Sequence, residues 1–384
     1  MSRPEVQAPG DFSPPVLLRR VRAPVRRQGA RFYLLLTLIS FASSVALTRL
    51  FLELTGYPQL AAGDLHIAHV LWGGLLLFIA SLLPLVFANR WVYTLASLSA
   101  GVGVGLFIDE VGKFITRSND YFYPAAAPIV YATFLITAAI YLQARRPHVR
   151  GPRTELYQAL ETFEEVLDRD LQPEELADLK ARLEFVVRDP VERDLARLAG
   201  ELLSYLDSQE TLVHPSPAGW WDRLWLELMA LDRRLVTRRR WRAVLLGGYL
   251  ALGLMGASRL LQVAVSFLLR DGLWPVLQWL FRTGLQTANP AFTPILVRIG
   301  LEAALGFGLL LAGALLLIGR EQSAIHLGTY ALLGALAVVN LVVFYYQQFS
   351  AILPAAVECL LLIATVGYRQ RFLGPGEPPA FSAV

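Results

Sequence analysis

Apolar residues in this chain gather into long blocks instead of alternating with polar ones. Blocks long enough to cross roughly 30 Å of hydrocarbon as helices fall at about residues 31–54, 66–88, 91–110, 122–143, 242–268, 293–318, 324–346 and 349–368. They predict an all-α, polytopic transmembrane helix bundle of about eight spans, because a helix satisfies its own backbone polar groups where no water can reach them. Between the fourth and fifth blocks the pattern changes. There Leu156, Leu160, Phe163 and Val166 recur at helical spacing among polar residues, which predicts a soluble helical insert over 144–240. Within it, Asp189-Pro190-Val191-Glu192 reads as a helix start with Asp189 as N-cap. Trp220, Trp221, Leu224, Trp225 and Leu228 form a stripe running into Arg233 and Arg234, the pattern of a helix lying along lipid headgroups or packing on its own domain.

The expected organisation is a basic tail over 1–30, a first four-helix membrane half over 31–143, the insert, a second half over 241–368 and a tail over 369–384. Each half starts on the same side, so any internal repeat is parallel. Thr48-Arg49-Leu50 and Ser258-Arg259-Leu260 sit at matching depths of the first and fifth spans, as two related halves would place them.

Composition agrees with lipid as the solvent: 55% of residues are hydrophobic and 17% charged, with a mean hydropathy of +0.47. Arginine is concentrated in the N-terminal tail and at both flanks of the insert, which by the positive-inside rule assigns both termini and residues 144–240 to the cytoplasm. A bacterial inner (cell) membrane is the expected location, with membrane lipids as surroundings and the insert as a surface for a protein partner. The single Cys359 rules out an intramolecular disulfide. The polar, Pro- and Arg-rich start predicts no cleaved signal peptide. The basic segments flank membrane spans, so no nucleic acid is expected as a partner.

Against that apolar background one polar cluster stands out. Asp64, His66 and His69 open the second span and Asp109, Glu110 and Lys113 close the third. Ionisable groups at membrane depth are costly and usually mark a site. Alternating span direction brings these ends together on the outer side, with Arg49 from the first span and Asn119 and Asp120 in the loop above. The second span runs inward from Asp64, so His66, His69 and Gly73 share one helical face near its outer end. Gly101, Gly105, Asp109 and Gly112 make a smooth strip along the third, suited to close helix approach.

Imidazole and carboxylate held on rigid helices suit Zn²⁺ or another divalent transition metal. The expected roles are His66, His69 and Asp109 as ligands, Glu110 as general base, and Arg49 or Lys113 holding an anionic headgroup. A bland alternative is a charged helix end with an Asp109–Lys113 pair. The Gly101–Gly105 run lies inside a span, where it reads as packing instead of nucleotide binding.

The stretch His66-x-x-His69-x-x-x-Gly73 followed by Gly101-x-Gly103-x-Gly105-Leu106-x-x-Asp109-Glu110-x-Gly112 resembles a pattern of multi-pass bacterial membrane proteins with no assigned activity. It covers the N-terminal third. The third His and the Ser and Asp arrangement of membrane ceramidase and adiponectin-receptor-like hydrolases have no match here. The leading expectation is a membrane protein with an outer-side polar site, acting as a metal-dependent hydrolase of a lipid or lipid-linked substrate. The alternatives are an ion- or proton-coupled transporter and a scaffold recruiting a partner through its cytoplasmic domain.

Overall fold

The computed structural model describes residues 24–56, 61–62, 65–66, 69–118, 120, 123–146, 150–168, 171–208, 237–271 and 292–374, and for some of these the backbone alone. Asp64, Asn119 and the Trp220–Leu228 stripe lie outside them. The chain is all-α, with one two-rung hairpin, and it divides into two compact units: Met1–Phe32 with Arg146–Pro217, and Tyr33–Arg145 with Ala218–Val384.

The first unit holds α6 (Pro152–Asp168), α7 (Pro173–Val187) and α8 (Arg193–Ser208). Their core is Leu156, Ala159, Val166, Leu171, Leu179, Leu183, Val186 and Ala199. Leu160, expected in the apolar stripe, is exposed. The buried line runs through 156, 159, 163 and 166, and Leu160 falls about 80° from its centre on a helix of 3.6 residues per turn. Asp189 Oδ1 accepts the backbone N–H groups of Val191 at 2.9 Å and Glu192 at 3.2 Å, just ahead of α8. The segment leading into the first span is tied to α6: Arg27 pairs with Glu161 at 3.1 Å and the Gln28 backbone N–H donates to Glu161 at 2.8 Å. Both therefore lie on one side of the membrane, which requires an even number of crossings between them.

Those crossings are α1 (Ala30–Thr55), α2 (His69–Val86), α3 (Arg90–Asp109) and α5 (Ala126–Arg145), with the short α4 (Val111–Ile115) after α3. The second half contributes α9 (Arg238–Asp271), α10 (Phe292–Leu317) and a helical run of 52 residues, Glu321–Phe372. All seven stretches are long and apolar enough to cross a membrane. The last crosses twice. Straight, it would hold residues 321 and 368 about 70 Å apart, yet Tyr368 Oη donates to Glu321 Oε2 at 2.8 Å. The fold-back comes at Gln348, whose φ of 49° and ψ of −134° no helix can contain. The run thus comprises α11 (Glu321–Gly334), a π-helical segment (Ala335–Val339), α12 (Asn340–Gln347), a 3₁₀ turn (Gln348–Ala351) and α13 (Ile352–Phe372). Eight crossing legs result among the described residues. Leu71, Trp72, Phe78 and Leu85 of α2 are exposed on the protein, as side chains facing lipid should be.

Small residues set the helix contacts in this unit. A Cβ on Gly105 would lie 2.7 Å from Ser44 Cβ of α1, and one on Gly73 would lie 2.6 Å from the Phe107 nitrogen of α3. The strip read from the sequence therefore faces α1, while Gly103 on the next face of α3 meets α2. In the second half the close approach is α9 on α10, through Gly253, Gly256 and Gly306. That joins its first and second legs, whereas in the first half the second and third legs meet, so the two halves do not pack as simple copies. They meet where Tyr131 of α5 stacks on Phe344 with centroids 4.4 Å apart and donates to the Leu336 carbonyl at 2.7 Å.

Gly105→Val should lower the melting temperature in detergent by an amount matching overpacking, about 1–3 kcal/mol. Gly74→Val serves as the control, because a Cβ there meets nothing within 4 Å. Equal melting of the two variants would mean that the Gly105 face does not pack against α1.

Candidate functional site

Helix α3 ends at Asp109, and Glu110, with φ −91° and ψ 9°, bends the chain into α4. The bend sends two consecutive carboxylates to different neighbours. Asp109 turns to α1, where Arg49 Nε donates to Oδ1 at 2.6 Å and Arg49 Nη2 donates to the Asp109 carbonyl at 3.0 Å. Glu110 turns to the start of α2 and accepts the Val70 backbone N–H at 3.1 Å. First-turn N–H groups have no partner within their own helix, and the helix dipole favours an anion there. Lys113, one turn on, donates to Glu110 Oε1 at 2.5 Å.

His69, the first residue of α2, lies between the carboxylates: Nε2 is 3.2 Å from Asp109 Oδ2 and Nδ1 is 3.7 Å from Glu110 Oε1. Asp109 and Glu110 are 0% and 1% exposed, so their charges need compensation. Arg49 and Lys113 supply it. The Arg49 guanidinium also lies 3.4 Å from the ring centroid of Phe349, in the turn before α13, a cation–π contact made out of water. His69 and Lys113, at 24% and 26% exposed, are the members open to the surroundings.

Of the residues read from the sequence, Arg49, His69, Asp109, Glu110 and Lys113 form one connected cluster. Asp120 is exposed in the following loop, where its backbone N–H donates to Thr116 Oγ1 at 2.8 Å. His66 departs from the expectation: it does not share a helical face with His69. Ala61 pairs with His66 and Ala62 with Leu65 in an antiparallel ladder, and α2 begins three residues later. In sequence Gly63-Asp64 stands between the paired residues, a dipeptide of the kind that signals a two-residue hairpin. Lys113 pairs with Glu110, three residues back, and Asp109 with Arg49 of α1, so one contact is local to the helix end and the other joins two helices.

The described donors do not fit a divalent metal. Asp109 faces Arg49 and His69 with its two oxygens, and Glu110 faces Val70 N–H, Lys113 and His69 with its own. A metal would have to displace a cation held at 2.5–2.6 Å. Among the described residues no group of three His, Cys, Asp or Glu could hold a metal ion.

Beside the cluster lies a groove of about 650 Å³ between α2 and α3, with Val111 and Phe114 of α4 at its head. Its walls are apolar throughout, including Val70, Leu71, Leu75 and Phe78 on one side and Phe107, Ile108 and Phe114 on the other. It starts one residue from His69 and descends eight residues, about 12 Å along a helix. Gly74 forms part of its floor. No motif signals such a groove; the clue in the sequence is the Gly73-Gly74 pair, one glycine set against α3 and the other open.

Fold and site together define a multi-pass, all-helical membrane protein with a buried ionic cluster at the ends of three legs. No protein-family model, curated protein or solved structure matches the chain.

Removing one partner of the buried pair should cost about 3–5 kcal/mol. Arg49→Gln and Asp109→Asn should each lower thermal stability sharply, and the double variant should lose much less than the sum. Additive losses in a double-mutant cycle would show that the two residues do not act as a pair.

Proposed function

We propose that the protein binds an anionic lipid or lipid-linked molecule in the outer leaflet of a bacterial cell membrane. One acyl chain lies in the α2–α3 groove and the headgroup rests at Lys113. The observation carrying this reading is the juxtaposition of an apolar groove with the exposed side of the ionic cluster. Lys113 and the exposed Arg117 supply positive charge at the groove's head, and Phe107 and Ile108 of α3 with Leu71, Leu75 and Phe78 of α2 supply the apolar walls below. Carboxylates Asp109 and Glu110 stay buried behind their own cations, so the headgroup meets the cationic side.

Hydrolysis of the bound molecule is a second reading, favoured by the Arg49–Asp109–His69 chain. Asp109 orients an imidazole that is partly open to the headgroup region, an arrangement suited to drawing a proton from water. His69 fits the part of general base better than Glu110, whose carboxylate is committed to Val70 N–H and Lys113. Transport and scaffolding gain no comparable support from the cluster.

The test fills the groove. Gly74→Leu projects into it without a clash, since a Cβ there meets nothing within 4 Å, and should remove most of the phospholipid detected by mass spectrometry of protein purified in mild detergent. Lys113→Gln should shift what remains from anionic to zwitterionic lipid. Unchanged lipid in Gly74→Leu would sink the reading. Incubation with phospholipid vesicles separates binder from hydrolase: product formation lost in His69→Gln, with lipid still bound, supports the second reading.

Orientation is tested separately. A cysteine at Ser118 should react with an impermeant reagent in intact cells and one at Gln209 should not, as the arginine distribution requires. The reverse labelling would place the groove in the inner leaflet.

A further inference from the structure

Among the described residues two carboxyl groups lie inside the crossing legs of the second half, and they are partnered differently. Glu302 of α10 pairs with Arg298 at 2.8 Å, and the Arg298 guanidinium lies 5.5 Å from the Tyr346 ring centroid. That pair is neutral in sum. Glu358 of α13 receives a hydrogen bond from Asn340 Nδ2 at 2.7 Å, and no described cation forms an ion pair with it.

Depth makes the difference matter. Glu358 follows Ile352 by six residues and precedes Phe372 by fourteen, so it lies about 9 Å from one end of α13 and about 21 Å from the other, inside a hydrocarbon core of roughly 30 Å. Asn340, only 5% exposed, holds it from the opposite leg. Of the titratable or charged groups around it, α10 brings Glu302 with its Arg298, α5 brings the Tyr131 phenol, and α13 itself brings Cys359. The nearby carboxylate repels a second negative charge, and the phenol and thiol compensate none. A bare carboxylate here would be costly; a neutral carboxyl is not.

We propose that Glu358 is an intramembrane proton-binding site: at neutral pH it is a neutral carboxylic acid, held by Asn340. The proton is the ligand, and the turn at Gln348 is the nearest end of the leg from which it exchanges. Asn340 follows directly on the π-helical segment, whose Leu336 carbonyl takes the Tyr131 hydroxyl at 2.7 Å, so the amide is presented from a local departure from α geometry. This inference does not rest on lipid binding, since Glu358 is no part of the groove.

Infrared spectroscopy of the full-length protein in lipid nanodiscs reads this directly. The wild type at neutral pH should show a protonated-carboxyl C=O stretch that shifts in D₂O. Glu358→Gln should lose that band, and Glu302→Gln and Gly74→Leu should keep it. Glutamine mimics the neutral acid in size and hydrogen bonding, so Glu358→Gln should also melt within a degree or so of the wild type across acid and neutral pH, in line with a ΔΔG near zero. Spectra of wild type and Glu358→Gln that coincide in the carboxyl region would overturn the proposal, because no protonated-carboxyl band would then belong to Glu358; if Glu358→Gln does not fold, the wild-type spectrum decides, and a wild type without that band at neutral pH overturns it.

Discussion

Burying an ion pair costs a great deal unless each charge is met closely, and the Arg49–Asp109 contact is where this chain accepts that cost. Everything at that end of the bundle is arranged around it. Asp109 is fully buried because Gly101 and Gly105 let α1 come close enough for Arg49 to reach it. With that carboxylate fixed by α1, its second oxygen orients His69, and the bend at Glu110 turns the next carboxylate onto the free N–H groups of α2. The three legs are thus held by directional polar contacts as well as by dispersion, the main attraction between helices in lipid.

The same arginine reaches beyond its own half. Its guanidinium lies over Phe349, in the turn between the seventh and eighth legs, while Tyr131 of α5 stacks on Phe344 just before that turn. The two halves therefore meet through aromatic rings carried on that turn and on the end of the helix before it. Gln348 supplies the reversal there with a backbone conformation that side chains seldom adopt.

Sequence patterning revealed the all-helical architecture, the legs and most of the ionic cluster, because lipid imposes its demands locally. A leg must be apolar for about 20 residues, and a charge within it stands out at once. What stayed hidden depends on distance or on backbone detail. Phe349 is 300 residues from Arg49, and no local signal joins them. The bend at Glu110 decides which carboxylate meets which helix, a matter of two dihedral angles. Placing His66 on the helix gave the apolar periodicity too much weight against Gly63-Asp64. The groove arises from what Gly74 lacks, and Glu358, one acid in an otherwise apolar leg, lost notice beside the denser cluster.

The π-helical segment has a consequence for how this chain can change over time. Five residues there carry one more than an α-helical turn requires, so everything after Val339 is rotated by about 100° from the course α11 would have followed. Asn340 points at Glu358 only because of that extra residue. Deleting one residue between Ala335 and Val339 would leave a regular helix with the same apolar character over that segment and swing the amide away from its acid. A hydropathy profile would not register the loss, so two descendants of this chain could share every leg and differ in whether the asparagine and the glutamate still meet.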